Sequence, residues 1–143
     1  MESRAKSPIR VLVVEDSLND QELLHHQLLK TPLGDHVLFF TDPRKALSAL
    51  RDPDATSLRE GLVALFIDVN LPHMNGIELL RRIRPLEGMG HVPVIVMTTD
   101  PHPDTLAACK ELNVAYFAEK PVTFTHFSKV LADLFYRHQA VHA

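Results

Sequence analysis

Four short polar clusters, each following an apolar run, hold the residues with the most chemistry to offer. Asp68 closes Leu62-Val63-Ala64-Leu65-Phe66-Ile67, Glu15-Asp16 follow 9–14, Thr98 follows 92–97, and Lys120-Pro121 come just after 116–118. Asp16, Asp68, Thr98 and Lys120 are separated by 52, 30 and 22 positions, so no local structure joins them. In open α/β folds, however, the carboxyl ends of parallel strands meet at one edge, where ligands bind. Gathered there, the clusters supply three carboxylates, a hydroxyl and an ammonium. Hard oxygen ligands suit Mg²⁺, and the ammonium and hydroxyl suit a phosphoryl group. Each acid alone has a plainer explanation: Glu15-Asp16-Ser17 would cap a helix well, and Asp68 can sit at a strand end for solubility. Recurrence at the ends of four apolar runs is what favours a site.

The elements that must position these residues are legible in the pattern. Five apolar, β-branched-rich runs predict strands at 9–14, 37–40, 62–67, 92–97 and 116–118. Continuous rather than alternating apolar runs mark strands covered on both faces. Helices are predicted at 19–30, 43–51, 76–84, 104–112 and 123–137. In the last, Phe127, Val130, Leu131, Leu134 and Phe135 follow a helical repeat. Asp42-Pro43 and Pro103-Asp104 supply helix-start signals. Segment 51–61, with Pro53 and several polar residues, predicts a surface loop. Strand and helix alternating with short connections predict an α/β fold with a parallel sheet between two helical layers. The whole chain, 1–143, reads as a single domain with a core of about 8–137 and short polar tails.

Composition narrows the function. A length of 143 residues that are 45% hydrophobic suffices for one core. A net charge of −3 offers no basic face for nucleic acid. No apolar run approaches the roughly 20 residues that span a membrane, and the polar amino terminus does not resemble a secretory signal. A lone cysteine, Cys109, excludes an internal disulfide and fits a reducing, cytoplasmic setting. Nine histidines invite a metal site, but none forms a ligand pair backed by cysteine or another ligand, and His138 and His142, at helical spacing, sit near the chain end.

Asp68 is the candidate nucleophile, since a carboxylate can attack phosphorus and form an acyl phosphate. Repulsion between anion and phosphoryl group is the obstacle, and a divalent cation held by Glu15, Asp16, Asp68 and the Asn70 backbone carbonyl answers it. Lys120 brings positive charge to the phosphoryl oxygens and Thr98 a hydroxyl that can donate to one of them. Such catalysis is positioning and charge neutralisation.

The segments Val11-Leu12-Val13-Val14-Glu15-Asp16-Ser17, Leu65 through Gly76, Pro93-Val94-Ile95-Val96-Met97-Thr98-Thr99 and Glu119-Lys120-Pro121 closely resemble the receiver domain of two-component response regulators, the CheY-like superfamily. The resemblance implies a flavodoxin-like (βα)5 sandwich with strand order 2-1-3-4-5. It further implies a phosphorelay protein in which Asp68 accepts a phosphoryl group from a histidine kinase. Glu15, Asp16, Asp68 and the Asn70 carbonyl would hold Mg²⁺, Thr98 and Lys120 would meet the phosphoryl group, and Lys120-Pro121 would be cis. Thr98 and Phe117 would form the switch, the ring moving into space that Thr98 vacates; many relatives carry tyrosine where this chain has Phe117. Gly76 suits a tight turn of positive φ before the third helix. Asn70 and Asp100 flank the path of attacking water and would tune dephosphorylation, while Thr99 would narrow access to Asp68.

With no second domain in the sequence, output is expected through the receiver's own surface to a downstream protein that the sequence does not identify. The residues Asn70-Leu71-Pro72, the Met97 to Asp100 segment and the long stretch before strand three resemble small response regulators paired with bacterial phytochromes. Those relatives often dimerise through the last strand and helix, where Phe135 and Tyr136 offer apolar area. Two other classes are weighed against this reading. A degenerate receiver would bind partners without phosphorylation, yet every matching site residue is present. An aspartate-nucleophile phosphatase of the haloacid dehalogenase kind needs a second aspartate two residues after the first, where this chain has Asn70.

Overall fold

Valine, isoleucine, leucine and phenylalanine fill the strands because both faces of the sheet are covered. The computed structural model describes residues 9–123 and 132–133. In chain order the elements are β1 (Arg10–Val14), α1 (Leu18–Leu28), β2 (Val37–Phe40), α2 (Pro43–Arg51), α3 (Thr56–Gly61), β3 (Leu62–Asp68), α4 (Gly76–Ile83), β4 (Val94–Thr98), α5 (Pro103–Glu111) and β5 (Tyr116–Glu119). The five strands form one parallel sheet of order β2-β1-β3-β4-β5, the order that the family resemblance implies. Four predicted helices are present, with ends that differ from the prediction by two residues at most. The fifth, 123–137, falls almost entirely outside the described residues, as do Phe135, Tyr136, His138 and His142.

Alternation along the strands sorts the core into two layers. Val11, Val13, Ala64, Phe66, Ile95 and Met97 pack with Leu24 and Leu28 of α1. Leu12, Val14, Leu65, Ile67, Val94 and Val96 pack with α2, α4 and α5 through Leu47, Leu50, Leu80, Ile83 and Cys109. β3, the central strand, is buried along its whole length.

The expected loop at 51–61 is instead partly helical. α3 occupies Thr56–Gly61, and Arg59 Nη1 reaches back to the Leu50 and Asp52 carbonyls at 2.9 Å each. A polar six-residue turn of helix carries too little periodicity to be seen in the pattern; its anchor is a side chain that satisfies the carboxyl end of α2.

Gly76 also corrects its expectation. It opens α4 without a positive φ; the left-handed residue of that loop is His73, at φ 67°. Close approach is what demands glycine here. A Cβ on Gly76 would lie 2.1 Å from the Asp68 carbonyl oxygen.

Candidate functional site

Glu15 and Lys120 extend the strand ladders past the ends of β1 and β5. Glu15 N–H donates to the Phe40 carbonyl at 3.0 Å, and Lys120 N–H to the Thr98 carbonyl at 2.7 Å. Alternation therefore carries Glu15, Asp68 and Lys120 onto the α1 side of the sheet, at its carboxyl edge. Thr98 shares its parity with Val94 and Val96, and Phe117 packs with the same opposite layer. The proposed acceptor cluster and the proposed switch pair thus continue opposite faces of one sheet.

On the α1 side, Lys120 Nζ donates to Glu15 Oε1 at 2.5 Å, Asp68 Oδ2 at 2.8 Å and Asp20 Oδ2 at 2.9 Å. The Lys120-Pro121 bond is cis. Asp68 Oδ1 accepts from Asn70 N–H at 3.0 Å, and Glu15 Oε2 from Ser17 N–H at 3.1 Å. Glu15, Asp68 and Thr98 are the buried polar side chains among the described residues. Asp16 is exposed, yet one oxygen from each of Glu15, Asp16 and Asp68 lies within 4.8 Å of the others.

The electrostatics of this cluster are unbalanced. Burial, and the adjacent Asp68, push the Glu15 carboxyl up to about 7, against the pull of Lys120 and the Ser17 N–H. Burial works against the Lys120 charge, but the hydrogen bonds it donates to Asp20, Asp68 and Glu15 outweigh it and hold the ammonium above its ordinary range. Acid outnumbers base at this edge. A converging, oxygen-only donor set short of positive charge fits a hard divalent cation such as Mg²⁺.

Thr98 is buried with its hydroxyl engaged inside its own turn, donating to the Asp100 carbonyl at 3.3 Å and accepting from Asp100 N–H at 3.1 Å. It makes no hydrogen bond to Asp68. Phe117 is half-buried and lines a groove with Leu106, Lys110 and Tyr116. Asn70 and Asp100 are exposed, and Thr99 lines a cavity beside Lys120. The residue missed by sequence reasoning is Asp20. An acid in a first helical turn is accounted for by the helix dipole, which hides its reach to Lys120.

Residues 11–132 match the family model described as the response regulator receiver domain. The chain belongs to that family of two-component signalling proteins. It is 30% identical over 128 residues to the sensory/regulatory protein RpfC of Xanthomonas campestris, covering 88% of this chain but only 16% of that protein. With response regulator Rcp1 of Synechocystis it shares 33% identity over 138 residues, covering 94% of this chain and 87% of Rcp1. Among solved structures, the bacteriophytochrome response regulator RtBRR superposes with a TM-score of 0.73 at 31% identity, covering 89% of this chain and 78% of that one. The Mn²⁺-bound form of Rcp1 matches with a TM-score of 0.67 at 27% identity, covering 87% and 89%. No helix among the described residues is long and apolar enough to cross a membrane.

Proposed function

We propose that this chain is a response regulator receiver that accepts a phosphoryl group on Asp68 from a histidine kinase. The observation that carries the reading is the convergence of two other strand ends on Asp68 at the end of β3: Lys120 at 2.8 Å from β5, and Glu15 and Asp16 from β1. One Asp68 carboxylate oxygen attacks the phosphorus of a phosphohistidine, the P–N bond breaks, and the imidazole leaves with its electron pair. The product is an acyl phosphate on Asp68. Lys120 faces the oxygens that gain charge, and the buried Thr98 hydroxyl is the donor available once it leaves Asp100. Glu15, Asp16, Asp68 and the Asn70 carbonyl would hold Mg²⁺, which supplies the positive charge that lets two anions approach. The reaction is confined to the protein's own aspartate, so the chain signals rather than turns over a substrate.

Similarity to the bacteriophytochrome response regulator RtBRR supports a bacterial phytochrome as the kinase. A cytoplasmic location and a dimer through the last strand and helix belong to the same proposal. Incubation with acetyl phosphate and Mg²⁺ followed by intact-mass measurement tests the core of it. The expected result is one added phosphoryl group, absent in Asp68→Asn; no mass gain in the unmodified chain overturns the reading.

A further inference from the structure

Lys120 is held by one acid more than the proposed chemistry needs. An ammonium has three N–H donors, and here all three are taken, by Glu15, Asp68 and Asp20. Glu15 and Asp68 belong to the convergent acid set with Asp16, whereas Asp20 lies outside it. Asp20 is rooted separately, in the first turn of α1, where its N–H donates to Ser17 Oγ at 3.2 Å. Interaction with the helix dipole explains an acid at this point. It does not require a side chain to cross to a lysine 100 positions away.

We propose that Asp20 is a positioning residue for phosphoryl transfer, tethering the Lys120 ammonium to α1 while Glu15 and Asp68 change partners. The proposal rests on Asp68 being the phosphoacceptor. Once Asp68 carries an acyl phosphate, its carboxyl oxygens lose their full charge and the phosphoryl oxygens need the donor that Asp68 held. A cation held by Glu15 and Asp68 draws on the same charge. Two of the three partners of Lys120 therefore weaken in one event, and Asp20, outside that set, does not. Free volume lies alongside: Asp20 and Lys120 both border a cavity of about 230 Å³ with Leu23, Met97 and Val122. An untethered ammonium can turn into it.

A double-mutant cycle tests the tether, using the full chain, acetyl phosphate and excess Mg²⁺, with phosphorylation followed by intact mass. Asp20→Asn is expected to slow phosphorylation about fivefold in the otherwise unchanged chain and hardly at all when Lys120→Gln is also present. Equal slowing in both backgrounds assigns the effect to α1 itself and overturns the proposal, as does no slowing in the first. Asp20→Glu, which keeps the charge, is expected to restore most of the rate. A second measurement uses neither metal nor phosphoryl donor: the NMR signal of the Lys120 ammonium in metal-free protein. It is expected to be sharp in the unmodified chain and broadened by solvent exchange in Asp20→Asn; an equally sharp signal in both overturns the tether. If the unmodified chain gains no phosphoryl mass at all, the phosphoacceptor reading itself fails, visibly and separately, and the proposal falls with it.

Discussion

The backbone of Gly76 lies directly against the carbonyl of Asp68, so that a single added carbon would sit 2.1 Å from that oxygen. The contact seats the first turn of α4 beneath the candidate phosphoacceptor, and Gly76 N–H donates to the Val69 carbonyl at 2.9 Å. Gly76→Ala must push either α4 or the end of β3 aside. We expect a loss of about 3 kcal/mol in chemical denaturation. Gly88→Ala, where a Cβ meets nothing but φ is +80°, should cost only about 1 kcal/mol. Equal costs at the two positions would show that the close approach to the Asp68 carbonyl adds no special penalty at Gly76.

A second expectation concerns pH. Burial pushes the Glu15 carboxyl up to about 7 in the folded chain, from about 4.5 when unfolded. Between those values the folded chain holds a proton that the unfolded chain has released, so metal-free stability falls as pH rises through the window. Glu15→Gln should remove that dependence and raise metal-free stability above pH 7 by about 1–3 kcal/mol. Mg²⁺ binding requires the carboxylate, so the stabilisation given by Mg²⁺ should grow across the same window in the unmodified chain. Thermal melts on either side of neutrality, with and without MgCl₂, measure both effects. A pH-independent metal-free melting temperature would contradict the first.

The Thr98 hydroxyl has two partners in its own turn and none at Asp68. Thr98→Ala should therefore cost only about 1 kcal/mol of stability and slow phosphoryl uptake without abolishing it. What it should remove is the response at β5. Backbone NMR shifts around Phe117 on addition of acetyl phosphate are expected in the unmodified chain and absent in Thr98→Ala. Phe117→Ala with undiminished partner discrimination between phosphorylated and unphosphorylated forms would remove that ring from the switch.

Arg84 ties together the opposite, amino-terminal edge of the sheet. Its guanidinium donates to the carbonyls of Leu112, Met89, Val92 and Asn113 at 2.7–3.1 Å, joining the end of α4 to the approaches of β4 and β5. Arg84→Ala should lose about 3 kcal/mol. Arg84→Lys should recover little, because an ammonium cannot span a planar fork of acceptors. Recovery close to full stability in the lysine variant would show that charge alone does the joining.

The strands and the polar residues at their ends were readable because burial on both faces writes itself as unbroken apolar runs. Glu15, Asp68 and Thr98 stand out as the first residues to break those runs, and Lys120 follows one residue after the last run ends. Three features were not readable, each for a physical reason. Asp20 acts through a contact formed only after α1 packs beside β5, and its residue type is equally at home in any first helical turn. α3 is held by Arg59, whose anchors at the end of α2 are backbone carbonyls that leave no trace in composition. Gly76 was visible as a glycine with a purpose, but its purpose is proximity to Asp68 and not a left-handed turn. Sequence shows that a position is constrained more readily than it shows by what.

The span of 105 positions between Glu15 and Lys120 has a consequence for timing. During synthesis Asp68 is made, and β1 and β3 can pair around it, well before β5 emerges. Such an intermediate gathers like charge with no ammonium to answer it, and on the proposed chemistry it is a poor acceptor. If Asp68 is the acceptor, competence to receive a phosphoryl group would arrive only with the last strand, when Lys120 completes the edge of the sheet.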